Sequence, residues 1–137
     1  MIRLSTSALL LSSLLSFHAF ATTVPSLQDN MKAIGKLVKS ITLAVNDKTQ
    51  NATSAAQSKL LEQLFTAVLA QEPDSIAQLP ANQQATALAQ YKTLIQQELT
   101  DSQRLESAFT TNDNAAAAST LQDMQKDKTT GHNAFKK

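Results

Sequence analysis

Leu27, Met31, Ile34, Val38, Ile41 and Val45 follow one another at steps of 4, 3, 4, 3 and 4 residues. Apolar residues at alternating steps of three and four share one stripe of an α-helix, because successive side chains rotate by about 100° around its axis. A strand cannot present such a stripe, since its side chains alternate with period two. A helix with one apolar stripe holds together in water when that stripe is covered, so the chain must supply further helices. The composition permits this: the 137 residues hold only two Gly and three Pro. Ala, Leu, Gln and Lys, all strong helix formers, are abundant.

Four helices are predicted. The first covers 26–45, with Pro25-Ser26 at its start and Asp29 in the first turn, and Asn46-Asp47-Lys48 ends it. The second covers 52–70, with Leu60, Leu61, Leu64, Phe65, Val68 and Leu69 facing inward. Pro73-Asp74 and Pro80 then mark a longer loop. The third covers 82–110, on a stripe of Leu88, Tyr91, Ile95, Leu99, Ser102, Leu105 and Phe109. Asn112-Asp113-Asn114 makes a tight break before a fourth helix over 115–135. Short first and last connections place antiparallel neighbours side by side. The expected fold is therefore all-α, an antiparallel up-down-up-down four-helix bundle.

The N-terminus reads as a secretory leader. Arg3 is followed by the apolar stretch 9–15 and by the small-x-small site Ala19-Phe20-Ala21. That stretch is short for a membrane span. Residues 1–21 are expected to be a signal peptide, and 22–137 one domain released into the periplasm with no stable membrane insertion. Cleavage would remove Arg3 from the 12 Lys and Arg, leaving them equal in number to the 11 Asp and Glu. A neutral chain without a basic cluster has no electrostatic footprint for nucleic acid. It can bury one modest core. The sequence has no Cys, which excludes disulfides, thiolate metal sites, thiol catalysis and two-Cys covalent haem attachment.

His18 lies in the leader, so His132 is the only histidine of 22–137. Alone, a histidine near a terminus is ordinarily a solvated residue, and a methionine in a helix seam ordinarily fills a core gap. The topology makes Met31 and His132 more than that. Met31 lies about five residues after the start of the first helix, and His132 about five before the end of the chain. In an up-down-up-down bundle those two ends meet. At about 1.5 Å rise per residue, both side chains sit roughly 7–8 Å in from the same end. A thioether and an imidazole facing each other are an axial pair for haem iron. Met124 shares its helix with His132 and cannot approach from the opposite side.

The segments Leu27-Gln28-Asp29-Asn30-Met31 and Lys128-Thr129-Thr130-Gly131-His132-Asn133-Ala134-Phe135 resemble the two ligand segments of the cytochrome b562 family. The likeness extends in layout to the leader, the four helices and the short-long-short loops. It implies one non-covalent haem b, with Met31 and His132 on the iron. It further implies Lys128 near a haem propionate and Tyr91 packed on the macrocycle. Ile95, one turn beyond Tyr91, stands where an aromatic would be more familiar. Gly131, beside the ligand, would relieve crowding at the haem face or mark a fraying helix end.

Two protein ligands close both axial positions, so electron transfer with an unidentified redox protein is expected rather than enzymatic catalysis. Glu62, Glu98 and Glu106 are expected on solvated helix faces, and no Glu-x-x-His motif supports a di-metal carboxylate site. Lys126, Lys128, Lys136 and Lys137 complement the helix dipole. A neutral, polar-faced bundle is expected to be a monomer. The rival reading is a haem-free exported bundle acting as an adaptor or stress chaperone, which has no need of a Met–His pair.

Overall fold

The computed structural model describes residues 24–135. The expected signal peptide, Lys136 and Lys137 lie outside the described residues. Four long helices occur: α1 (Leu27–Ala44), α2 (Asn51–Leu69), α4 (Ala81–Thr110) and α5 (Asn114–Phe135). Between α2 and α4 lies α3 (Asp74–Ala77), a single turn, and a 3-10 turn, Lys48–Gln50, precedes α2. Among the described residues there is no strand, and the fold is an all-α four-helix bundle. None of these helices is long and apolar enough to cross a membrane.

Helix boundaries follow local chemistry. Ser26 Oγ accepts the Asp29 amide at 3.1 Å and donates to the Asp29 carboxylate at 2.7 Å, closing the first turn of α1. Asp113 accepts the Ala116 amide at 2.9 Å at the head of α5. Each cap satisfies an amide that the helix leaves without a partner. Asn112 has φ 58, the left-handed conformation that asparagine tolerates, so α4 turns into α5 without a glycine.

Asparagines join the two short turns. Asn51 Nδ2 donates to Asn112 Oδ1 at 2.9 Å and to Asn114 Oδ1 at 3.0 Å. Asn114 Nδ2 donates to the Val45 carbonyl at 2.6 Å. At the far end, Gln71 Nε2 donates to the Pro25 carbonyl at 2.9 Å, and Ser75 Oγ to the Phe135 carbonyl at 2.6 Å. The α1–α2 and α4–α5 turns thus share one end. The start of α1, the α2–α4 connection and the end of α5 share the other, as an up-down-up-down order requires.

The α2–α4 pair is the most extensive contact, followed by α4–α5 and α1–α2, whereas α1 and α5 barely touch. Leu61, Phe65 and Val68 of α2 and Tyr91, Ile95, Leu105 and Phe109 of α4 are buried in the core. Ser54, Ser58 and Ser102 are buried with them, small enough to let helices approach closely. The Ser58 and Ser102 hydroxyls donate back to the carbonyls of Ser54 and Glu98, at 2.9 and 2.8 Å, which removes the cost of burying them. Leu60, expected inward, is 48% exposed. Its neighbour Leu61 takes the core position, and one residue's rotation carries Leu60 to the flank.

Asn51 is buried and holds both turns. Asn51→Ala should lower the free energy of unfolding by about 1 kcal/mol, because it removes the hydrogen bonds that join Asn51 to the side chains of Asn112 and Asn114. Urea denaturation checks this, with the midpoint shifted and the slope unchanged.

Candidate functional site

Because α1 packs on α2 and α5 on α4, the seam between α1 and α5 opens as a cleft of about 900 Å³. Met31, Ile34, Gly35 and Val38 line it from α1. Met124, Lys128, Gly131 and His132 line it from α5. Phe65 of α2 and Tyr91, Ile95 and Glu98 of α4 close its inner side. All four residues singled out in the sequence, Met31, His132, Lys128 and Tyr91, therefore border one space.

Burial separates Met31 from an ordinary core methionine. Met124 is 2% exposed, whereas Met31 is 37% exposed at the cleft. Its thioether is not consumed in packing the seam that its spacing suggested. His132 is exposed on the opposite wall, in the last turn of α5.

The segment between α2 and α4 holds both walls. Gln71 accepts from Asn30 Nδ2 at 3.2 Å while its own amide holds the Pro25 carbonyl, so the turn carrying Met31 is clamped on both sides. Ser75 holds the Phe135 carbonyl, three residues beyond His132. Tyr91 is buried, its hydroxyl donating to the Val68 carbonyl at 3.3 Å and its ring edge-on to Phe135 at 5.6 Å. Burial pushes the Tyr91 hydroxyl up to about 12, so it remains a neutral donor. Nothing in the spacing of Gln71 or Ser75 marked them, since their role depends on partners 46 and 60 residues away.

Both glycines of the described chain line the cleft. A Cβ built on Gly35 or Gly131 meets no atom within 4 Å. Neither is required by close packing or by a left-handed backbone. Each costs its helix about 1 kcal/mol relative to alanine. Gly131 lies within α5, so it does not mark a frayed end.

The expectation of solvated carboxylates needs correction. Glu98 is 7% exposed and lines the cleft. Burial, then the neighbouring charges of Asp127 and Asp101, push its carboxyl from 4.5 up to about 8, with Lys128 opposing. Asp101 is fully buried and is held by the Arg104 guanidinium at 3.1 Å and by the Gln97 amide. Glu62 is part-buried, and burial followed by the adjacent Glu106 raises its pKa. Glu98 was legible in principle. Tyr91, Ile95, Glu98, Ser102 and Leu105 continue at steps of 4, 3, 4 and 3, so position 98 belongs to the inward stripe.

The lining mixes apolar side chains such as Ile34, Phe65 and Ile95 with polar and charged ones such as Gln71, Glu98, Asp127 and Lys128, and the volume falls within the roughly 300–1,000 Å³ of cofactor pockets. Met31 brings a thioether to this space from α1, and His132 an imidazole from α5. Among the described residues, no group of three or more His, Cys, Asp or Glu side chains is placed to hold a bare metal ion. No family model, curated protein or solved structure matches the chain.

Two outcomes follow for the ligand-free protein. Gly35→Ala and Gly131→Ala should each raise stability by roughly 0.5–1 kcal/mol, from helix propensity with no clash, as thermal or urea unfolding would register. Between pH 4.5 and about 8 the folded chain retains a proton on Glu98 that the unfolded chain releases. Stability should therefore fall as pH rises through that window, and Glu98→Gln should flatten the fall.

Proposed function

We propose that the chain is an exported electron-transfer protein that holds one haem b non-covalently between α1 and α5. The observation that carries this reading is that Met31 and His132 border one cleft from opposing helices. The bound group would supply a one-electron Fe(III)/Fe(II) couple. Met31 would offer its thioether from α1 and His132 an imidazole nitrogen from α5. A thioether opposite an imidazole favours the reduced iron and raises the potential relative to two imidazoles. Two protein donors, Met31 and His132, would leave no open position on the iron for oxygen or substrate. Electron transfer is then the activity that the ligand set supports.

The remaining residues bind and orient. Tyr91, Phe65 and Ile95 offer apolar surface on the inner side of the cleft. Lys128, one turn before His132, offers an ammonium group to a carboxylate of the ligand. The clamps from Gln71 and Ser75 set the separation of the two walls before any ligand enters. A preset separation lowers the ordering cost of binding. The leader pattern of residues 1–21 supports action in the periplasm. The absence of Cys agrees with non-covalent retention.

Titration of haemin into the purified chain tests this reading. One equivalent should bind and give sharp low-spin bands in both oxidation states. Met31→Ala and His132→Ala should each abolish the low-spin spectrum while far-ultraviolet circular dichroism stays helical. Bound haemin should also raise the unfolding midpoint in proportion to the logarithm of its free concentration. Absence of binding, or binding indifferent to both substitutions, overturns the proposal.

A further inference from the structure

Glu98 has no part in the proposed ligation, yet it is the most deeply buried of the carboxylates that line the cleft. It stands on α4, on the inner side and 7% exposed. Its own helix presents Asp101, and α5 presents Asp127 and Lys128. Glu72 and Asp74 line the cleft from the segment between α2 and α4, His132 from α5 and Tyr91 from α4. Among the described residues, α1 and α2 line the cleft with uncharged side chains alone. Glu98, Asp101 and Asp127 thus lie close together, with the Lys128 ammonium acting against them on Glu98.

We propose that Glu98 is the proton-binding residue of the cleft, protonated as the haem iron is reduced, so that electron uptake is linked to pH. This rests on the haem reading above. The balance is simple. A one-electron donor protein supplies the electron that takes the iron from Fe(III) to Fe(II). Solvent supplies one proton, which bonds to a Glu98 carboxylate oxygen, and no other bond forms or breaks.

The physical cause is charge in a poorly solvated space. Reduction adds one negative charge to the cleft. An ionised Glu98 repels it, and the repulsion is weakly screened away from water. The neutral carboxylic acid does not. Reduction therefore raises the proton affinity of Glu98, and by reciprocity a bound proton raises the affinity for the electron. Burial and the carboxylates of Asp127 and Asp101 already hold the Glu98 pKa well above the ordinary range in the ligand-free chain, at about 8. A carboxylate of the ligand drawing on Lys128 would strengthen the effect, since that ammonium is what favours the ionised form.

Three measurements on the full chain and its Glu98→Gln and Glu98→Leu variants test the inference. Carboxyl-carbon NMR of the ligand-free protein should show one glutamate titrating far above the others, lost in both variants. The haem affinity of the native chain should fall more steeply with rising pH for Fe(II) than for Fe(III), and the variants should lose this difference between oxidation states. The midpoint potential should become more negative with rising pH in the native chain, and both variants should be flatter. If Met31 and His132 hold haemin but native and variant potentials follow one pH profile, the inference fails and the haem reading stands. A Glu98 carboxyl titrating in the ordinary glutamate range also overturns it. If haemin does not bind, both fall.

Discussion

The segment between α2 and α4 sets the geometry on which the cleft depends. Gln71 grips the start of α1, and Ser75 grips the end of α5. Without these bonds, two amphipathic helices that barely touch would have every reason to close on one another, since closing removes apolar surface from water. The connection prevents this by giving each helix end a partner of its own. The hydrogen bonds are individually modest, about 1 kcal/mol each. Their value lies in where they act, at the two turns that carry Met31 and His132.

The rest of the bundle supports that arrangement by being asymmetric. The α2–α4 pair carries most of the packing and contains small buried serines that allow close approach. Stability is concentrated on one side of the molecule, and α1 and α5 can stay apart on the other. The two glycines fit the same logic. Each weakens its helix and touches nothing, so its usefulness lies in the room it leaves in the cleft.

The cleft is also charged in an unusual way for a space with apolar walls. Burying Glu98 beside Asp101 and Asp127 costs stability wherever all three are ionised. Asp101 is relieved by Arg104 and Gln97, and Glu98 is relieved most readily by taking a proton. Under the proposed function, that cost becomes a link between charge in the cleft and protons in solution.

Much of the fold was written in the sequence. The steps of three and four at 27–45 and along α4, the Ser26 and Asp113 caps and the asparagine break at 112–114 are local signals. They act within a turn or two of the helix they define, so the four helices and their order could be read directly. That Met31 and His132 border one space was also legible, because topology alone brings those chain ends to one end of the bundle. Tertiary structure decided the rest. It left Met31 at a cleft instead of in the core, moved Leu60 out to the flank, and buried Glu98 where a solvated face was expected. It also assigned Gln71 and Ser75 their partners. Spacing along a chain fixes which side of a helix a residue occupies. Which sides meet, and which are held apart, depends on contacts between residues far separated in sequence.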